Sequence, residues 1–579
     1  MSTKKQISLI AVLIVTIVIS GWLSGWVSAY SPDYYHQIKK NIEVFGRVYQ
    51  EIAEKYVEEV DPEKFMKAGI EGMLSTLDPY TVLVEKEDNA ELQIMSSGKY
   101  GGLGMRIGLR SGWPTVVEPP FEGTPSLKAG IREGDQIIEV DGESTKGLTV
   151  SKVANFLRGQ IGSEVFLKIA REGEDESIEF RLIRAEIIVT DVLYSGIIQD
   201  GIGYIRLIHF SRNAGKDIEK SIRQLKTEGL KSLILDLRSN PGGLLDAAVS
   251  VSENFIEKGK LIVSTEGRAR GSTQKFYARK SPVLEDMPLV VLVNGFSASA
   301  SEIVAGAIQD LDRGLIIGTD TFGKGLVQTV VQISSEAVLK ITTAKYLVPS
   351  GRSIQDPKRS KRNSLGSLQA ENVFSKGEDE NKKSDKKSEE EPQEKEYFTA
   401  NGRKVYASHG IAPDVKVEEE TLSRFEIELL RKTLPFQFAV RYATKHPELR
   451  RGFEVTDEIL AEFESFLNEN NFNYTSNAES ALQEIEETAQ EAEYFALISS
   501  SVDEIRSVIL QRKEKDFDLN KGFVKEELQQ EISAKLWGTK AELEAGFDQD
   551  AAVQKALEIL SDSVKYESNL AGPGKKPEQ

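Results

Sequence analysis

Residues 289–319 read LVVLVNGFSASASEIVAGAIQDLDRGLIIGT. Residues 289–293 are five apolar, mostly β-branched residues in a row, the composition of a strand buried on both faces. Residues 294–299 are small or turn-forming. From Ser301 apolar residues recur at three- and four-residue spacing, as on one face of a helix, and GLIIGT returns to a short apolar run. Strand, turn, helix and strand make one βαβ unit, so its two strands are expected to lie parallel. The alternation continues upstream. GIGYIRLIHF (201–210) reads as a strand, AGKDIEKSIRQLKTEG (214–229) as a helix, SLILDLR (232–238) as a strand and LLDAAVSVSENFIE (244–257) as a helix. Residues 201–341 are therefore expected to form an α/β core.

Outward from this core the composition changes. Residues 98–187 carry short β-rich runs, turn glycines and one helical run, SKVANFLRG. Residues 31–97 read helical, with NIEVFGRVYQEIAEKYVEEV as the clearest stretch and Asp61-Pro62 and Asp78-Pro79 as punctuation. Between 376 and 396, 15 of 21 residues are charged and none is a large apolar residue, so a disordered segment is expected there. Residues 421–566 are again helical and rich in glutamate, and the chain closes on AGPGKKPEQ. The expected divisions are 1–30 (leader), 31–97 (helical), 98–187 (β-rich), 188–356 (core), 357–396 (charged insertion), 397–420 (last core strand), 421–566 (helical extension) and 567–579 (disordered tail).

The leader has lysines at 4 and 5 and then runs uncharged from 6 to 32. That is long enough to span a bilayer, which takes about 20 apolar residues. Trp22, Trp26 and Tyr30 suit the far interface, and the lysines favour a cytoplasmic start. A cleaved signal peptide, with Val27-Ser28-Ala29 as the small-residue site, is the other reading. Both export the remainder. The chain is expected either anchored in the inner membrane, facing the periplasm or cell exterior, or soluble in the periplasm after cleavage.

Over 579 residues, 40% are hydrophobic and 28% charged, enough for several packed domains. The net charge of −18 argues against a nucleic-acid partner, which needs a basic footprint. The absence of cysteine excludes thiolate chemistry and disulfides. Four scattered histidines with no HExxH pair argue against a histidine-built metal site.

Two clusters fall at strand ends. The first is SASAS, 297–301. A serine at this helix start is exposed on a tight turn beside free N–H groups that can hold an oxyanion, and it is equally suited to a plain N-cap. The spacing is not GxSxG. The second is GTDTFGKGLVQ, 318–328. It lacks the Ser or Thr of a phosphate loop, having Gly325, and leads into the strand-like LVQTVVQI, so nucleotide binding and an ATP-driven chaperone are argued down. Lys324 among small residues is either a desolvated amine able to act as general base or a solvated surface lysine. DLRSNPGG, 236–243, is a tight turn whose amides either complete an oxyanion hole or merely join strand to helix. His209 and His409 have no flanking motif, which leaves a serine–lysine pair ahead of a triad.

Together DLRSNPGGLL, NGFSASASEIVAGAIQD, GTDTFGKGLVQ and ITTAKYLVPSGRSIQ resemble the C-terminal processing peptidases, also called tail-specific proteases. The resemblance runs from about residue 42 through GIAPDV. It implies a multidomain α/β fold: a crotonase-like protease core, an inserted PDZ β-domain at 98–187, an N-terminal helical segment and a C-terminal helical extension. It implies a serine endopeptidase needing no cofactor. Carried over by motif, Ser299 is the nucleophile, with Ser297 and Ser301 as rivals, and Lys324 is the base. Gln328 holds the lysine. The amides of Ala300, Gly242 and Gly243 form the oxyanion hole, and Asp310 is a supporting carboxylate. In YGGLGM, the amides of Leu103, Gly104 and Met105 would grip the free carboxylate of a substrate with an apolar C-terminus. Arg158 would couple that domain to the core. The extension is expected to serve self-association or an adaptor, or simply to present a solvated acidic face. The rival from another class is a catalytically dead PDZ scaffold that binds tails without cutting them.

Overall fold

The computed structural model describes residues 32–357 and 395–572, apart from 86–93, 95–96, 111, 122, 172–173, 175, 335–336, 408 and 419–420. The leader expected at 1–30, nearly all of the charged insertion at 357–396 and the end of the tail from 573 lie outside the described residues. Among those described, no helix is long and apolar enough to cross a membrane.

Contacts divide the chain after Thr76. Among its described residues the first unit holds two helices, α1 (Pro32–Lys55) and α2 (Pro62–Leu74). Asp61 starts α2 by accepting the N–H groups of Glu63 and Lys64 at 3.0 and 3.2 Å, with Pro62 in the first turn, where its missing N–H costs nothing.

The second unit opens on a strand, β1 (Val82–Glu85), inside the stretch expected to be helical to 97. VLVE is too short to show a period, and its apolar, β-branched residues find a partner strand far downstream. A β-domain follows: β2 (Lys99–Gly102), β3 (Ile107–Arg110), β4 (Trp113–Val116), α3 (Pro125–Ala129), β5 (Gln136–Val140), β6 (Glu143–Ser144), α4 (Val150–Leu157), β7 (Glu164–Ala170), β8 (Ile178–Ile183) and β9 (Ala185–Ile188). Its sheet has the order β3-β4-β5-β7-β8, while β2 and β9 pair separately and tie the two ends of the domain together. Val165, Leu167 and Ile169 alternate inward along β7 and pack with Leu103, Ile137 and Val153.

The α/β core comprises β10 (Val192–Gln199), β11 (Ile202–Leu207), α5 (Ala214–Thr227), β12 (Ser232–Asp236), α6 (Leu245–Ser252), β13 (Leu261–Glu266), β14 (Gln274–Tyr277), β15 (Leu289–Val293), α7 (Ala300–Asp310), β16 (Leu315–Gly318), β17 (Leu326–Gln332) and β18 (Ala337–Leu347). The hairpin β19 (Glu396–Phe398) and β20 (Lys404–Tyr406) precedes the short β21 (Val415–Lys416). The main sheet has the order β10-β11-β12-β15-β16-β21, parallel except for β10. A second, antiparallel sheet has the order β1-β18-β13-β14, with β17 also on β18.

The main strands are buried on both faces with period two. Leu289, Val291 and Val293 of β15 face α5, α6 and α7, while Val290 and Leu292 face the other way. That other face is covered from the far end of the chain. The extension contains α8 (Arg424–Arg431), α9 (Leu434–Lys445), α10 (Asp457–Glu469), α11 (Asn477–Glu491), α12 (Phe495–Lys513), α13 (Asp516–Leu519), α14 (Lys521–Trp537), α15 (Thr539–Gly546), α16 (Ala551–Leu560) and α17 (Ser563–Leu570). Most of these surround a core of their own around Phe425, Phe438, Phe463 and Leu528. Val553, Ala556 and Ile559 of α16 and Tyr566 of α17 instead pack on Ile234, Val290, Leu292 and Ile317. Each such buried aliphatic contributes about 1.5–3 kcal/mol. The last two helices of the extension thus add a layer to the main sheet, and helix continues to Leu570, past the expected boundary at 566, because Tyr566 is buried and bonded to both backbone groups of Leu289. The extension also meets the β-domain: Lys535 of α14 forms a buried ion pair with Glu133 at 2.8 Å.

Candidate functional site

The turn between β15 and α7 is bound to the turn after β12. Asn240 O accepts the Ala298 N–H (3.0 Å) and the Ser301 hydroxyl (2.9 Å), and Leu237 O accepts the Ser297 hydroxyl (2.8 Å). Ser297 and Ser301 are fully buried and their hydroxyls are used in this stitching. Ser299 alone of the three is partly exposed. Its φ of 55° lies where a residue with a side chain is strained, at a cost of about 1–3 kcal/mol that the surroundings must hold in place.

What holds it is a carboxylate that the motifs did not single out. Glu302 is fully buried in the first turn of α7. One oxygen accepts the Thr321 hydroxyl (2.6 Å) and the Gly323 N–H (2.7 Å); the other accepts the N–H of Ser299 (2.8 Å) and of Lys324 (2.9 Å). Burial pushes its pKa up to about 7 against these four donors. On the carbonyl side, the buried Tyr346 hydroxyl donates to Ser299 O (3.1 Å) and faces Lys324 O as well. The Ser299 turn and the Lys324 loop are thus clamped from both sides by Glu302 and Tyr346. Serine followed three residues later by glutamate is a capping-box signature, so the first half of this role is visible in the sequence. The second half needs the fold.

The Lys324 side chain is largely buried. Its Nζ lies 4.7 Å from the centre of the Tyr80 ring, and burial, helped by the charge of Lys340, lowers its pKa from 10.5 to about 8 against Glu302 and Asp78. No hydrogen bond joins Lys324 Nζ to Ser299 Oγ among the described residues.

Gln328 does not reach the lysine. Its amide donates to Leu326 O (3.4 Å) and Thr342 Oγ1 (3.5 Å). Gln328 and Lys324 do not share one face of a continuous strand. Lys324 in fact precedes β17, and an irregularity between Val327 and Gln328 breaks the alternation.

Of the expected oxyanion donors, the Gly242 N–H is taken by Asn240 Oδ1 at 2.9 Å. Among the described residues, the N–H groups of Ala300, first residue of α7, and of Gly243 take part in no loop hydrogen bond. Gly242 matters for its missing side chain: at φ +97° a Cβ would lie 2.6 Å from Ala298 O and 2.8 Å from Ala300 N. Asp310 is remote. It sits at the far end of α7, about 15 Å from Ser299 at 1.5 Å per residue, and its carboxylate binds Arg352 and the Ser350 N–H, both at 2.9 Å.

In the β-domain the carbonyls after β2 are turned inward. Ser126 Oγ donates to Leu103 O (2.7 Å), and the Phe121 N–H to Gly104 O (2.9 Å). Among the described residues, the N–H groups of Leu103, Gly104 and Met105 enter no loop hydrogen bond, and β3 continues as an edge strand beside α4. Gly104 has φ +80°, and a Cβ there would meet Thr124 at 2.3 Å. Arg158 lies 5.6 Å from the Tyr100 ring centre and donates to Asn155 (3.4 Å), so its contacts fall inside this domain rather than on the core.

Comparison with known proteins agrees with this layout. The sequence model of peptidase family S41 matches residues 201–359, that of PDZ domains 116–171, and one described as "Probable PDZ-protease, C-terminal helical domain" 425–560. Residues 28–88 match the "Activating protease CtpB N-terminal domain". The carboxy-terminal-processing protease of Bartonella bacilliformis is 39% identical over 320 residues, 55% of this chain and 73% of the relative. The carboxy-terminal processing protease CtpA of Bacillus subtilis is 36% identical over 307 residues, 53% of this chain and 65% of the relative. Among solved structures, a photosystem II D1 C-terminal processing protease is 28% identical with a TM-score of 0.34, covering 65% of this chain and 87% of that one.

Proposed function

We propose, from the premise that this chain belongs to peptidase family S41 and its carboxy-terminal processing proteases, that it is an exported endopeptidase that captures the C-terminal tails of protein substrates and cuts them with Ser299 as nucleophile and Lys324 as general base. One observation carries the reading: a single buried carboxylate, Glu302, holds the backbone of both residues, and the lysine amine above it is drawn toward neutrality. A neutral amine is what a serine nucleophile requires.

In the reaction, Lys324 Nζ turns from Tyr80 to Ser299 and takes the Oγ proton as Oγ bonds to the scissile carbonyl carbon. The carbonyl π pair moves to oxygen, which faces the N–H groups of Ala300 and Gly243. The ammonium returns its proton to the leaving nitrogen as the C–N bond breaks. Water, deprotonated by the same amine, then hydrolyses the acyl-serine ester and restores the hydroxyl. Such hydrogen bonds are often long before substrate binds, so the resting separation fits a site that tightens on binding. Upstream, the free amides of Leu103, Gly104 and Met105 would receive the tail's terminal carboxylate while the tail pairs with β3. The uncharged leader would place this activity outside the cytoplasm, with the anchor tethering it to the inner membrane.

The test is to incubate the protein with an unfolded substrate bearing an apolar C-terminus and to weigh the products, alongside Ser299→Ala and Lys324→Ala. Both variants should remain folded and lose cleavage. Cleavage retained in either would refute the pair, and binding without cleavage by the unaltered chain would mark a dead scaffold.

A further inference from the structure

The segment leading into β1 is built to present one aromatic ring to the lysine. Asp78 accepts the N–H of Tyr80 (2.8 Å), the N–H of Thr81 (2.9 Å) and the Thr81 hydroxyl (2.9 Å), closing a tight turn. Thr81 Oγ1 in turn accepts the Thr342 N–H at 3.2 Å, and β1 pairs with β18 from Val82 onward, so the turn is fixed to the second sheet. From there the Tyr80 ring lies 4.7 Å from Lys324 Nζ, within the range at which an aromatic face attracts an ammonium. The mechanism above uses Lys324 but gives Tyr80 no task.

We propose that Tyr80 is a positioning residue of the catalytic centre: its ring seats the Lys324 amine in the resting enzyme and keeps it out of water. This rests on Lys324 being the base. The ring does two opposed things. By covering the amine it disfavours the charged form, and by its quadrupole it favours that form; we take covering as the larger, burial as a whole being the leading cause of the lowered lysine. The other groups that act on Nζ are Lys340 of β18, which disfavours its charge, and Glu302 of α7 and Asp78, which favour it. Tyr346 stays a neutral phenol at any working pH. Uncovering the amine therefore moves it back toward the ordinary lysine range.

The test is the pH dependence of kcat/KM, whose acid limb reports the free enzyme. Tyr80→Ala should shift that limb upward by about one pH unit, a roughly tenfold loss at pH 7, and Tyr80→Phe, which restores the ring, should bring it back. A loss that is equal at every pH, or a limb displaced as far in Tyr80→Phe as in Tyr80→Ala, would overturn the proposal. A second readout does not need activity. In the Ser299→Ala background, the titration of Lys324 followed by NMR after 13C-methylation should move upward on adding Tyr80→Ala and return with Tyr80→Phe; an unmoved titration overturns the proposal. Lys324→Ala is carried in parallel. If it still cleaves, the base assignment has failed, and the NMR titration still decides whether the ring seats the amine.

Discussion

Replacing Glu302 by Gln tests the clamp most directly. The change keeps size and shape and removes one acceptor. The carboxylate takes four donors; the amide of glutamine takes two and turns an NH₂ toward the other two. Whichever way it sits, two buried donors lose a charge-assisted bond worth about 1.5–3 kcal/mol each, and partial relaxation leaves a local cost of about 3 kcal/mol. The readout is hydrogen exchange of the amides that Glu302 binds, Ser299, Gly323 and Lys324. Their exchange should quicken by about a hundredfold, since 1.4 kcal/mol is tenfold, while the strands of the main sheet stay protected. Cleavage should fall with it, because a strained Ser299 is no longer held. The acid limb of activity should move the opposite way, downward, because the charge that favours the lysine's protonated form is gone. Unchanged exchange at these amides, or an acid limb that moves up, would refute the reasoning.

Lys340→Met removes the like charge that helps lower Lys324, so the acid limb of the pH–rate profile should rise. Gly242→Ala puts a Cβ 2.8 Å from the Ala300 nitrogen at a φ of +97°, which should cost on the order of 10²–10³ in kcat, the loss typical of an oxyanion donor, along with a lower melting temperature. Lys535→Met leaves Glu133 of the β-domain and Glu531 of α14 itself without their shared cation and should cost about 3–5 kcal/mol, seen as faster proteolysis in the β-domain.

The βαβ run at 289–319 is legible in the sequence because its periods are long and its turn residues are small; β15, α7 and β16 fall where those periods place them. The three motif loops are hydrogen-bonded to one another in the fold. What they left unread lies in contacts between distant segments. Tyr80 and Lys324 are far apart in sequence, and a single tyrosine after Asp-Pro carries no mark of the ring's destination. Glu302 reads as a cap, and only folding adds the Lys324 loop to its acceptors. Asp310 entered by resemblance alone, and the rise of α7 sets it at the opposite end of that helix from Ser299. Gln328 missed through one irregular residue in a strand. The apolar face of α16 is visible as a stripe, yet nothing in AAVQKALEIL distinguishes a helix that packs on other helices from one that packs on a sheet.

The placement of α16 and α17 bears on how the chain matures. The ribosome delivers Ser299, Glu302 and Lys324 long before it delivers Val553 and Tyr566, and a growing polypeptide folds from its N-terminal side. Until those last helices emerge, one side of the main sheet, Val290 and Leu292 included, stands bare. The strands that carry Ser299 and Glu302 therefore gain their cover on this side only when these later-made helices fold against them.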